Sequence, residues 1–326
     1  MSLPETAAPV RAGILDSLVA AAVAAPSMYN SQPWRFSADP AARTLGIRAV
    51  PGWTAPLADP WRRAQYLAVG AAVFNLRIAA AEAGLTPVVE LLPEPRDPGL
   101  LARVALHDGP PDRSRHPRLY DAIRQRRSSR MPFTGRPVPE GVVARMAAGA
   151  RAEGARLLLP DIVGARRILA LTAEAERRNH VDWARVRESR AWVVPPGTGP
   201  YGIPVTALGA QDARGRVPMR DFTGAPRAYP VRPLPFERHP QLALVCTGYD
   251  RPLDWLRAGQ ALERVLLLAT AHGVRTSPLH QALEWPDLRR ALLGGRSGRA
   301  QFLIRFGYGP QGALTPRAAV TSVMAH

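Results

Sequence analysis

Apolar positions recur at helical spacing over residues 13–25, 64–83, 139–152, 161–179 and 254–272, and each segment predicts a helix. Pro26 closes the first, and Gly84 and Gly273 read as C-caps of the second and the last. Residues 33–50 alternate loosely and read as strand-like. Leu85–Leu92, Gln241–Thr247 and Gln301–Gly307 predict strands. Residues 107–118, with His107, Pro110, Pro111 and Pro117, form a break. Residues 193–235 are rich in Pro, Gly and Arg, show little periodicity, and are longer than a connection needs.

The chain contains an internal echo. Gly70, Ala72, Val73, Leu76, Ala80 and Gly84 match Gly259, Ala261, Leu262, Val265, Ala269 and Gly273, all at one offset of 189 residues. Helical periodicity alone can align two Ala/Leu-rich helices. Two glycines per helix at a fixed interval argue instead for a duplication. That reading divides the chain into halves 1–115 and 116–326, packed as the intrachain equivalent of a twofold dimer.

Composition narrows the function. A chain of 326 residues with 46% hydrophobic content is neither a disulfide miniprotein nor disordered. Cys246 is the single cysteine, which excludes an internal disulfide and a cysteine metal cage and fits a reducing, cytoplasmic location. Apolar stretches such as Val265–Leu268 are too short to span a membrane. Arg11 and the Ala-rich run to Ala25 resemble a signal peptide, but Glu5 and Asp16 argue against one. The net charge is +17, and every basic residue is Arg. This suits an anion or nucleic-acid binder, or a genome that favours Arg codons. The arginines are scattered, and only Arg113–Arg136 is dense. The seven histidines form no i,i+4 pair, which argues against a metal site. No Gly-x-Gly-x-x-Gly follows a strand, and no Gly-Lys-Thr/Ser or Gly-x-Ser-x-Gly occurs.

Four segments carry candidate chemistry. In Ala25–Phe36, between a helix and a strand, Ser27, Asn30 and Gln32 offer donors and acceptors from one turn. They suit the edge of a flat heterocycle, or simply an Asx-type loop. In an extended backbone Arg126, Ser128 and Arg130 share one face. They form an anion cradle or a solvated basic linker. The third segment is Gly273–Gln281. The fourth is Gln301–Gly309 followed by Pro316-Arg317.

Together these segments resemble the nitroreductase superfamily of flavin proteins, in particular its fused, single-chain Acg-like branch. The resemblance rests on Ala25-Pro26-Ser27, Asn30-Ser31-Gln32-Pro33-Trp34, Arg126…Ser128…Arg130, Thr276-Ser277-Pro278-Leu279 and Arg305-Phe306-Gly307-Tyr308, and spans about residues 13–320. It implies an α+β fold of two similar halves, each a sheet flanked by helices, with FMN held between them. Arg126, Ser128 and Arg130 would hold the phosphate, the ribityl chain and the pyrimidine edge. Pro26, Ser27, Asn30 and Gln32 would reach in from the first half. Ser277, Pro278, Leu279, His280 and Gln281 would run under the ring, and Arg317 would add a phosphate contact.

The implied activity is hydride transfer from NAD(P)H to a small organic acceptor through flavin N5, with no catalytic side chain required. The alternative is a flavin-sequestering protein closed by a lid. In this branch the segment matching 193–235 forms that lid, here with Trp192, Tyr201, Arg220, Asp221 and Phe222. Each half keeps one side of a composite site, which implies one FMN per chain. Small molecules or flavin are then the partners, with neither nucleic acid nor membrane, and a monomer suffices.

Overall fold

The computed structural model describes residues 8–50, 52, 55–109, 119–223 and 232–325. Helix α1 (Ala12–Val23) leads into a hairpin of β1 (Trp34–Asp39) and β2 (Thr44–Ala49). The long helix α2 (Arg63–Glu82), β3 (Leu85–Leu91) and β4 (Leu100–Asp108) follow. After α3 (Leu119–Gln125) the pattern begins again with α4 (Glu140–Ala152) and β5 (Arg156–Leu158). It is then interrupted by α5 (Ile162–Val181), α6 (Trp183–Ala191) and two short parallel pairs. These pairs are β6 (Val193–Val194) with β7 (Ile203–Pro204), and β8 (Gln211–Asp212) with β9 (Pro233–Leu234). It resumes with β10 (Gln241–Thr247), α7 (Pro252–Ala271), β11 (Arg275–Pro278), α8 (Pro286–Ala291), β12 (Arg299–Gly307) and α9 (Val320–Val323). The fold is α+β.

The two four-stranded sheets share one plan. The first runs β1-β2-β4-β3 and the second β5-β10-β12-β11, and both are antiparallel throughout. In each, the long helix joins the second strand to the third in sequence. Their surroundings differ. In the first sheet β1 and β2 alternate, and Trp34, Phe36, Leu45 and Ile47 face a core shared with α1 and α2. In the second, β10 is apolar on both faces. Ala243 and Val245 pack with α4 and α7, while Leu242, Leu244 and Cys246 face α5 and α8. The interrupting segment thus covers the second sheet's outer face. Burial there pushes the Cys246 thiol up to about 12.

The helices matched in sequence are packed together in space. At their crossing a Cβ added to Gly70 would lie 2.1 Å from Leu256 O, and one added to Gly259 would lie 2.1 Å from Leu67 O. No side chain fits either position, so only glycine lets the two backbones approach this closely. Helix α2 has the length and mean hydropathy (1.3) of a membrane span, but it is buried inside the protein.

The sequence-predicted elements lie where the pattern puts them, within a few residues. Others left weak signals, most of them short; three stand out. Strand β4 continues through His107 and Asp108, inside what the sequence suggested was a break. Helix α6 has no apolar stripe, and α3 is only two turns long. The boundary at 115/116, most of the 107–118 break and residues 224–231 of the 193–235 segment lie outside the described residues.

Gly70→Ala and Gly259→Ala should each destabilise the protein by about 1–3 kcal/mol, because the added methyl meets a backbone carbonyl that cannot turn aside. Gly13→Ala, where a Cβ meets nothing within 4 Å, should not. Denaturant melts of the three variants test this, and equal midpoints would mean a looser crossing.

Candidate functional site

The loop from Ser27 to Gln32 is backbone-strained. Tyr29 (φ 54°), Asn30 (φ 57°) and Gln32 (φ 49°) are all left-handed. Asn tolerates this conformation; Tyr and Gln do so at a cost of order 1–3 kcal/mol each. Tertiary contacts offset that cost. The Gln32 amide donates to Ser27 Oγ (2.9 Å). Asn30 Nδ2 lies within hydrogen-bond reach of Pro200 O, Gly202 O and Pro316 O, at 3.0–3.1 Å. Gln32 Nε2 donates to Pro200 O, and Gln32 Oε1 accepts from the Ala318 amide (2.9 Å). The Tyr29 ring stacks on Trp192 at 6.0 Å and meets Phe222 edge-on. This one loop therefore holds down both the segment after α6 and the C-terminal tail.

Two connected cavities open beside it. One is an apolar slot of about 120 Å³ between α2 and α7, walled by Leu67, Ala68, Leu262 and Leu266 and floored by β11 and β12. Ile203, Met219, Arg220 and Phe222 cover it. The other is a chamber of about 320 Å³ that includes Arg124, Arg126, Arg127 and Arg317. Pro26, Ser27, Tyr29, Ser128, Arg130 and Ile203 line both.

Burial sets the electrostatics. It holds Arg130 down to about 10, with help from Arg220, and Arg317 down to about 9, with help from Arg126. Arg130 donates to Ala207 O (2.9 Å) and lies over the Phe222 ring. Arg317 donates to Asn30 Oδ1 (2.8 Å). Burial, reinforced by Arg63, Arg220 and Arg289, holds the His280 imidazole well below its usual range, so it is neutral at physiological pH. Arg220 pairs with Glu284 and donates to the Tyr29 hydroxyl. Burial raises the Tyr29 phenol against the pull of Arg220, so it stays protonated. Five buried polar atoms at the cavities lack a hydrogen-bond partner in the protein: Ser277 Oγ, His280 Nε2, Gln281 Oε1, Arg126 Nε and Arg317 Nε.

The structure thus gathers most of the residues singled out in the sequence. Pro26, Ser27, Ser128 and Arg130 line both cavities. Ser277, Pro278, His280 and Gln281 line the slot, and Asn30, Arg126 and Arg317 line the chamber. Gln32 and Leu279 line neither. Gln32 is buried behind the loop, and Leu279 packs in the core beside Leu242 and Leu303. Sequence reasoning missed the slot walls on α2 and α7, because their spacing is the spacing of core residues. It also missed Tyr29, whose left-handed backbone has no signature in sequence.

No family model matches the chain. Several relatives from Mycobacterium tuberculosis do. "Putative NAD(P)H nitroreductase Rv3131" is 32% identical over 314 residues, covering 93% of this chain and 88% of that protein. "Putative NAD(P)H nitroreductase acg" is 29% identical over 339 residues, covering 98% and 97%. The chain belongs to the nitroreductase superfamily, in its Acg-like branch. Among solved structures, a nitroreductase with bound FMN from Desulfitobacterium hafniense aligns with 64% of this nitroreductase chain and 97% of its own, at 12% identity and a TM-score of 0.40.

Asn30→Gly tests the clamp without changing the backbone demand, because glycine tolerates the same φ. Loss of the side-chain bonds should weaken closure by about 1–3 kcal/mol. Hydrogen exchange at the Ile203 amide, bonded to Trp192 O at 2.7 Å, should then speed up about tenfold or more. Unchanged exchange would mean that the Gln32 bond, the Arg220–Glu284 pair and the aromatic stack hold the segment without Asn30.

Proposed function

We propose that this nitroreductase binds one FMN per chain, with the ring in the slot and the phosphate in the chamber, and transfers hydride from NAD(P)H to a small organic acceptor. The observation that carries this reading is the junction of an apolar slot with an arginine-lined chamber at Ser27, Ser128 and Arg130. FMN has the same sequence of chemistries: a flat ring, a polyol and a phosphate dianion. The unpartnered atoms support the fit. Ser277 Oγ, His280 Nε2 and Gln281 Oε1 are available to a polar ring edge, and Arg126 Nε and Arg317 Nε to an anion.

When bound, the flavin supplies two-electron redox chemistry at N5. The chain supplies position and field. Leu67, Leu262 and Leu266 exclude water from the ring. Ser128 and Ser27 offer hydroxyls to the polyol. His280 hydrogen-bonds without adding charge, and Arg126 and Arg317 neutralise the phosphate. Gln32 and Leu279 act from behind, as supports of the loop and of β11. No side chain need act as an acid or base.

The matching strand orders and the Gly70–Gly259 contact support reading 1–115 and 116–326 as fused halves that retain one composite site, so that no second copy is required. A cytoplasmic location suits the buried thiol of Cys246.

One observation favours a second reading, flavin sequestration under a closed lid. Residues 193–223 are pinned over the slot by Arg220–Glu284 and by the Asn30 and Gln32 bonds. Anaerobic mixing with NADPH separates the two. Bleaching of the flavin absorbance within seconds supports the oxidoreductase. Reduction by dithionite but not by NADPH would establish sequestration. Denatured protein should release about one FMN per chain; FAD, or a ratio near two, would overturn the composite site.

Arg317→Ala should weaken FMN binding about ten- to a hundredfold, the loss of one charge-assisted contact, and leave riboflavin binding unchanged. Fluorescence titrations with both ligands check this. Equal losses would place the phosphate away from Arg317.

A further inference from the structure

Behind the arginine chamber lies a carboxylate for which the FMN reading has no role. Glu263, in the middle of α7, is fully buried, and neither of its oxygens meets a donor in full hydrogen-bond geometry. Its nearest charge is Arg126, whose Nε stands 3.6 Å from Oε1 and is itself without a hydrogen-bond partner. Arg126 spends its Nη2 on Ala24 O (3.2 Å). Glu263 and Arg126 are thus adjacent and buried, yet not joined by the short paired bonds that make such a couple self-sufficient.

The other neighbours are few. Arg317 faces Glu263 from the C-terminal tail, and Arg127 stands beside Arg126 and Arg317. Asn75 faces it from α2, with its amide donating to Ala21 O (3.1 Å). The next charged residue along α7, Arg264, is committed with Arg77 to Glu153 at the end of α4. Glu263 is therefore the one carboxylate that the described residues set against the chamber's cations.

We propose that Glu263 is a proton-exchanging counter-charge of the chamber: it balances Arg126 while the chamber is free, and takes up a proton when a phosphate monoester dianion arrives. The argument is electrostatic. A phosphate on Arg126 and Arg317 competes with Glu263 for the same positive charge. Two anions on one buried cluster repel strongly, and the weakly bonded carboxylate is the one that can be neutralised in place. A chamber carrying a protonated Glu263 has one more net positive charge for the dianion. Burial supports the assignment, since it pushes the Glu263 carboxyl up to about 7 against the pull of Arg126, Asn75 and Arg317.

The sign follows from linkage. The carboxyl is raised, and the ligand raises it further, so binding takes up protons. Affinity is then greatest below about pH 7 and falls as pH rises through it, by up to about tenfold per unit. The ligand's own second ionisation, at about pH 6, lies below this window.

The inference rests on the FMN reading, and its test separates the two. Calorimetric titration of the apoprotein near pH 7.5, in two buffers of different ionisation enthalpy, counts protons directly. FMN binding should take up about half a proton or more, and riboflavin binding none. Riboflavin also controls for Glu176, which burial pushes up to about 7 beneath the covering segment and which would respond to either ring. Glu263→Gln should bind FMN without proton uptake and with an affinity flat between about pH 7 and 8.5. Wild-type protein binding FMN without proton uptake, equal uptake with riboflavin, or uptake retained in Glu263→Gln would each overturn the proposal. If Glu263→Gln does not fold, the wild-type comparison of FMN with riboflavin decides alone. Failure of FMN to bind at all would instead overturn the functional reading.

Discussion

The contact between Gly70 and Gly259 governs the architecture. Two twenty-residue helices, each joining the second strand in sequence of its four-stranded sheet to the third, cross with backbone against backbone, and everything nearby is placed by that crossing. It brings Leu67 and Ala68 of α2 opposite Leu262 and Leu266 of α7, so the apolar slot opens along the line where the helices diverge. It also sets Asn75 beside Glu263, and thereby the polarity beneath the arginine chamber. A side chain at either glycine would push the helices apart and widen the slot along its whole length. The site is therefore as sensitive to the crossing as the core is.

Charge is distributed according to solvent access rather than by composition. Most of the +17 is spread over the surface, where ion pairs such as Arg103–Glu90 and Arg177–Glu174 contribute little. The arginines that matter here are withdrawn from solvent: Arg126 is buried, and Arg130, Arg220 and Arg317 are half-buried. They come from three stretches: Arg126 and Arg130 from the segment after α3, Arg220 from the covering segment and Arg317 from the tail. An all-arginine chain suits this use, because a guanidinium keeps its charge where burial would neutralise a lysine. Even Arg317, drawn down to about 9, remains charged at neutral pH.

The sequence made the frame legible because periodicity reports burial. The long helices and the matched glycines follow from spacing alone, and the α+β class follows from the family resemblance. Ser27, Ser128 and Arg130 were singled out because they sit in short strings whose polar groups repeat at turn or strand intervals, and Ser277 through the family resemblance. What stayed hidden has physical reasons. Leu67, Ala68, Leu262 and Leu266 differ from core residues only in what lies opposite them. Helix α6 gains its stability from tertiary contacts, including the Glu188 carboxylate accepting the amides of Leu57 and Ala58, rather than from an apolar face. Gln32 was grouped with the site for the donor and acceptor it offers in the turn, and Leu279 through the family resemblance. Their side chains point elsewhere, as adjacent residues on a bent or extended backbone do.

The left-handed turn at Tyr29, Asn30 and Gln32 also bears on the order of folding. Its stabilising partners are remote: Pro200 and Gly202 lie 170 and 172 residues from Asn30, and Pro316 lies 286 away. Loops of that length close late, after the local hairpins and helix pairs have formed. Until then nothing offsets the turn's strain, so the nascent loop samples ordinary backbone conformations. The lining of the two cavities is thus one of the last features to set, and weakening the turn's ties would speed unfolding while leaving the folding rate nearly untouched.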